Sequence, residues 1–226
     1  MNFLYSISPL ILQKIIWIPT RIILNFFIHL KIEGLENLNN ISNNHYKNVI
    51  FASNHTSELD PVLLPASLSF FSRFSPIFYA SLSKGNYRKS GWRQNFYGGF
   101  LFKLWGAHPI YTGLKDYEKS LINHIKILED NKDLLFFPEG KITPDGNIGN
   151  ARGGIAYLAK HTGRRVIPIA ISGIYRMSFK DFLMRKRYAK IIFGKSIYPS
   201  QLKNNNYRKE AEEIMNRVKE MLEKTN

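Results

Sequence analysis

The sequence predicts an α/β domain built on a mostly parallel sheet flanked by helices, and three observations carry that reading. Short apolar runs alternate with segments of helical period over most of the chain. The chain has 226 residues, the length of one ordinary domain, with no internal repeat or linker. Its 44% hydrophobic residues can bury a real core, which excludes disordered and low-complexity classes. The division this suggests is a membrane-associating helical segment over residues 1–32 and a folded domain over 33–226.

The first 32 residues hold no Asp or Glu, and their Lys and Arg residues are Lys14, Arg21 and Lys31. Pro9, Lys14, Pro19 and Arg21 cut this stretch into pieces shorter than the ~20 apolar residues of a spanning helix. The pattern therefore predicts two short helices in the headgroup region, with Tyr5 and Trp17 at the interface and the three basic residues facing anionic lipid. An uncharged start and an apolar run broken by prolines suit a cleaved signal peptide less well. A buried helical hairpin packed on a soluble core is the other reading.

Residues 37–48 are polar without an apolar period and read as a surface loop. Residues 49–52 form a short apolar run, ended by the turn-forming Ser53 and Asn54 before Pro61 opens a helix through Leu64 and Leu68. Further strands are predicted at 76–80, 107–111, 134–137, 166–171 and 190–193. Helices are predicted at 116–129, with Leu121, Ile125 and Leu128 on one face; at 152–161, closed by Gly163; and at 207–223, with Ala211, Ile214, Val218 and Leu222 along one side. In such a fold, sites gather at the carboxyl ends of strands.

The chain carries 32 Lys and Arg against 17 Asp and Glu, a net charge of +15 that favours anionic partners: lipid phosphate, an acidic carrier protein or nucleic acid. It has no cysteine, which excludes disulfides, a thiol nucleophile and thiolate metal sites. Asn54-His55-Thr56-Ser57-Glu58-Leu59-Asp60 follows an apolar run directly. An Asp five residues after a His, across a loop, can fix the imidazole tautomer and leave the other nitrogen free as a base. No Gly-x-Ser-x-Gly elbow accompanies it, so a covalent intermediate is not required. The chemistry that suits this pair is removal of a proton from a hydroxyl attacking an activated acyl group. The plainer reading makes Asp60 an N-cap before Pro61 and His55 a loop residue. Phe136-Phe137-Pro138-Glu139-Gly140-Lys141 ends another apolar run, and its turn places Glu139 to accept hydrogen bonds from a polyol or from nearby cations, or simply at the surface.

Together, the Asn-His-x4-Asp block at 54–60 and Phe-Pro-Glu-Gly at 137–140 resemble the two defining blocks of the glycerolipid acyltransferase family, which includes the 1-acyl-sn-glycerol-3-phosphate acyltransferases. Val166-Ile167-Pro168 and Phe193-Gly194-Lys195 are similar to two later elements of that family, in the same order. The resemblance implies an O-acyltransferase moving a fatty acyl group from acyl-CoA or acyl carrier protein to a lysophospholipid hydroxyl in phospholipid biosynthesis. It implies 1-acyl-glycerol-3-phosphate as first choice of acceptor, the thioester as co-substrate with no cofactor or metal, and a location at the cytoplasmic face of a membrane. His55 would be the base and Asp60 its orienting partner. Glu139 and Gly140 would shape the acceptor side, and Lys141 and Arg152 would meet anionic head groups. Expected partners are an anionic membrane surface, the lysolipid and an acidic acyl carrier protein, with no nucleic acid.

Two departures bear on the acceptor. Thr112 and Ile142 stand where family members that bind a phosphate usually carry Arg, and a Lys cannot reproduce the planar grip of Arg. Lys141, Arg152, Lys160 and Lys84 are the candidate substitutes, and another lysolipid is the alternative acceptor. A catalytically inert lipid-binding protein is the reading from another class. The basic and aromatic mix of Phe70, Phe71, Arg73, Tyr87, Arg88, Lys89, Trp92 and Arg93 fits a membrane interface as well as nucleic acid.

Overall fold

In the computed structural model, residues 3–39, 41, 48–82 and 100–224 are described. Their order is α1 (Phe3–Ile28), β1 (Lys31–Glu33), α2 (Glu36–Asn39), β2 (Ile50–Ser53), α3 (Asp60–Ser67), β3 (Ile77–Leu82), α4 (Phe100–Leu104) and β4 (Ala107–Ile110). There follow α5 (Tyr117–Glu129), β5 (Asp133–Phe136), α6 (Gly154–Thr162), β6 (Val166–Ser172), α7 (Phe179–Leu183), β7 (Lys190–Phe193) and α8 (Tyr207–Glu223). The seven strands form one sheet in the order β1-β7-β6-β2-β5-β3-β4, parallel except where β6 meets β7. The predicted α/β class and mostly parallel sheet are therefore present.

Residues of β2 and β5 are buried without exception, as strands covered on both faces must be. Alternate side chains feed two cores. Phe51, Leu135, Ile167 and Ile169 pack with Leu63 and Leu64 of α3 and Leu24 and Ile28 of α1. Ile50, Leu134, Phe136 and Val166 pack on the other face with Leu121 and Ile125 of α5, Ile155 and Leu158 of α6, and Ile214 and Val218 of α8. The helices start and stop on local signals: Asp116 accepts from the amides of Glu118 and Lys119 at the head of α5, Asn206 does the same for Arg208 and Lys209 at α8, and Gly163 ends α6 at φ +68°.

Three expectations need correction. The two short helices before residue 32 are one 26-residue helix, with Pro9 and Pro19 inside it. Each proline removes one backbone hydrogen bond, and tertiary contacts hold the helix through that loss. Gln13 accepts from the Ile77 amide at 3.0 Å and donates to the Ile77 carbonyl at 2.7 Å. Trp17 donates to the Leu68 carbonyl at 3.2 Å, and Arg21 to that of Ala66. Second, Lys31–Glu33 pairs with β7, so the sheet begins inside the segment read as membrane-associating. Third, the 37–48 stretch is not all surface loop, because Leu38 and Ile41 are buried in the core; residues 40 and 42–47 lie outside the described residues.

The docked side of α1 carries Gln13, Leu24 and Ile28, while Ile11, Ile15, Ile18, Ile22 and Phe26 are exposed. Replacing Gln13 with Leu strands the buried Ile77 amide and carbonyl, and we expect a loss of about 1–3 kcal/mol in urea unfolding. Ile15→Ser, on the exposed side, should leave that midpoint nearly unchanged.

Candidate active site

Because β2 runs parallel to both neighbours, β5 and β6, the loops that follow these three strands leave the same edge of the sheet. Asn54 extends β2 by one side chain: its amide donates to the Ile171 carbonyl and accepts from the Ile171 amide, both at 2.8 Å. This clasp fixes where the next residue, His55, leaves the sheet.

His55 Nδ1 lies 2.8 Å from Asp60 Oδ2. The same oxygen accepts from the amides of Thr56 at 2.6 Å and Ser57 at 2.9 Å. An oxygen serving two amide donors is an acceptor, so the ring nitrogen facing it carries the proton, which fixes the tautomer. Nε2 is then the acceptor nitrogen, and it has no hydrogen-bond partner among the described residues. Asp60 is completely buried, whereas the His55 side chain keeps 17% exposure. Although Asp60 is the first residue of α3, its side chain turns back to the preceding loop and no side chain caps the helix. The plainer N-cap reading therefore fails. The imidazole is held from one side by Phe137, stacked at 4.1 Å between ring centroids and 18° between planes.

Glu139 is buried at 5% exposure and both its oxygens meet backbone amides: Oε1 that of His55 at 2.9 Å, Oε2 that of Gly149 at 2.7 Å. Burial pushes its carboxyl above the ordinary range, and the Gly149 and His55 amides oppose that rise. On the other side of the same residue, the His55 carbonyl accepts from the Thr143 amide at 2.8 Å. The backbone of His55 is thus gripped by the loop after β5 at both its N–H and its C=O. That loop is secured in turn, since the Pro144 carbonyl accepts from Tyr175 Oη and from Arg176 Nη2.

His55, Asp60 and Glu139 are therefore brought together, and Gly140 and Arg152 meet beside them. Gly140 has φ +69°, which favours glycine, and the Arg152 guanidinium lies 3.2 Å from where a Cβ would stand. Arg152 and Lys141 are exposed, and Thr112 and Ile142 are exposed as well. Lys160 does not join the group, because its ammonium is engaged at 2.8 Å by Glu210 and at 3.2 Å by the Leu202 carbonyl. Lys84 and the residues Tyr87, Arg88, Lys89, Trp92 and Arg93 lie outside the described residues. Sequence reasoning missed Asn54 as a strand clasp, Phe137 as a stacking wall and Thr143 as an anchor. Only Asn54 and Phe137 carried a signal, as the first residues of the two blocks.

A sequence model of the family described as Acyltransferase matches residues 29–172. A chloroplastic 1-acyl-sn-glycerol-3-phosphate acyltransferase of Arabidopsis thaliana is 26% identical over 180 residues, which cover 77% of this chain and 45% of the relative. The match thus spans less than half the length of that protein. The crystal structure of a 1-acyl-sn-glycerophosphate acyltransferase from Thermotoga maritima aligns with a TM-score of 0.62 at 19% identity, over 94% of this chain and 81% of that one, a likeness of fold. Because the family's sequence model extends from before β1 to the end of β6 and so encloses the His55, Asp60 and Glu139 loops, the chain belongs to the acyltransferase family.

Proposed function

We propose that the site transfers a fatty acyl group from an acyl thioester to the free hydroxyl of a lysophospholipid, with 1-acyl-glycerol-3-phosphate the leading acceptor. The observation that carries this reading is the 2.8 Å contact of His55 Nδ1 with buried Asp60, which leaves Nε2 as the acceptor nitrogen. Nε2 takes the proton of the acceptor hydroxyl as its oxygen adds to the thioester carbonyl. Asp60 stabilises the imidazolium formed. When the tetrahedral adduct collapses, the carbon–sulfur bond breaks and the thiolate takes the proton back from Nε2, so the enzyme is regenerated and the ester and free thiol leave.

Glu139 serves this chemistry by fixing the His55 peptide. Gly140 lets the Arg152 guanidinium lie against the turn, and Arg152 with Lys141 supplies positive charge for the head group. With Thr112 and Ile142 in the positions described above, the acceptor phosphate is held by fewer arginines than usual in the family, so dependence on a terminal phosphate is weaker. Either acyl-CoA or an acidic acyl carrier protein serves as donor; the net charge of +15 suits both. The exposed isoleucines of α1 support a location at a membrane, for which the cytoplasmic face is our reading. The helix is long and apolar enough to cross a bilayer, but attachment to the domain at Gln13, Trp17, Arg21, Leu24 and Ile28 favours a helix lying in the interface. The kinship of the Arabidopsis relative, named for 1-acyl-sn-glycerol-3-phosphate, supports the choice of acceptor.

His55→Ala should abolish transfer of labelled acyl groups while the chain still folds, and Asp60→Asn should lower kcat by about 10³–10⁴ through loss of the tautomer. Wild-type turnover in either would contradict the mechanism. Glu139→Gln should reduce kcat with little change in acceptor KM, because the amide NH2 would face a backbone N–H donor and displace the His55 loop. Arg152→Ala, by contrast, should raise the acceptor KM more than it lowers kcat.

A further inference from the structure

We propose that the α7 hairpin, residues 178–188, is a second bilayer contact that inserts Phe179, Leu183 and Met184 among the acyl chains of an anionic membrane beside the site. The inference rests on the reading of α1 as the membrane-facing helix and adds a separate element to it. None of the residues of α7 is buried. Phe179 is 76% exposed, Leu183 50%, Met184 52% and Tyr188 70%, an apolar surface that water alone would disfavour. Around it stand Lys180, Arg185, Lys186 and Arg187 against one acid, Asp181. An occupant must therefore be apolar and anionic at once, which is the chemistry of an anionic phospholipid surface.

The hairpin is fastened to the end of α1. Phe182 stacks on Phe27 at 4.7 Å and His29 on Tyr188 at 5.0 Å, and the Arg185 guanidinium lies 4.4 Å over the ring of Phe26. The hairpin thus packs beside exposed Phe26 at the end of α1. The backbone is well defined as well. Ser178 and Asp181 form a capping box at the start of the helix. At the end, the Lys186 amide reaches the Asp181 carbonyl and the Arg185 amide that of Phe182, a Schellman closure. Arg185 takes the left-handed position at φ +56°, where glycine is the usual residue. Because α7 follows β6, it leaves the sheet at the edge from which His55 emerges. Contact at both α1 and α7 would turn that edge toward the lipid surface and bring a membrane-embedded acceptor to the imidazole.

The absence of cysteine allows a single label on the full chain. With Phe179→Cys carrying an environment-sensitive dye, vesicles rich in phosphatidylglycerol should shift the emission to the blue, whereas the same dye at Arg217→Cys on α8 should not respond. In co-sedimentation, the variant Arg185→Gly/Lys186→Gln/Arg187→Gln keeps the left-handed turn and should bind those vesicles at least ~10-fold more weakly, since each basic residue near an anionic surface is worth a severalfold change. Failure of the unmodified chain to bind would overturn the membrane reading and this one with it. If the unmodified chain binds and Ile15→Ser/Ile22→Ser weakens it, while the dye at position 179 stays in water and the basic variant binds normally, α1 alone is the membrane contact and the inference is wrong.

Discussion

The carboxylate of Asp60 is the point on which the site depends. A buried carboxylate is costly unless donors surround it, and here the donors are the groups whose positions matter: the His55 ring and the amides of Thr56 and Ser57. Satisfying that one anion folds the loop after β2 into a single shape and fixes the imidazole tautomer at the same time. Glu139 applies the same logic from the neighbouring loop, binding the His55 amide on one oxygen and the Gly149 amide on the other. Two buried carboxylates thus act on structure, so that one imidazole nitrogen remains available for chemistry.

That arrangement is possible only because β2 is flanked by two parallel strands. Asn54 ties the exit of β2 to β6, while Glu139 and Thr143 tie the next residue, His55, to the loop after β5. Along the part of α1 from Gln13 to Arg21, the usual distribution of a surface helix is reversed, whereas Leu24 and Ile28 enter the core in the ordinary way. The polar side chains of Gln13, Trp17 and Arg21 turn toward the domain, and isoleucines turn away from it. Hydrogen bonds to the carbonyls of Ala66, Leu68 and Ile77 account for the inward side, and the outward side is the one proposed to meet the bilayer.

Much of the sheet was legible because central parallel strands are buried on both faces and read as unbroken apolar runs, as at 49–52 and 166–171. β1 was not, since Lys-Ile-Glu carries no such run and its strand exists only by pairing with β7. The continuity of α1 was hidden for a related reason. Its prolines speak locally against a helix, whereas the support from Gln13 to Ile77 spans 64 residues of sequence. In the site, the five-residue spacing of His55 and Asp60 was visible, because their partnership is local. What Glu139 holds was not, because it depends on β2 and β5 lying side by side, and the engagement of Lys160 with Glu210 depends likewise on the packing of α6 against α8.

The central claim is that the His55 site activates a hydroxyl acceptor directly, without first taking the acyl group onto the protein. The most direct measurement follows both thiol release and the fate of a labelled acyl thioester given to the purified full chain, with and without 1-acyl-glycerol-3-phosphate. The account predicts thiol release that requires the lysolipid, matched by label appearing in the diacyl product. Release without acceptor, or label retained covalently on the chain, would contradict it.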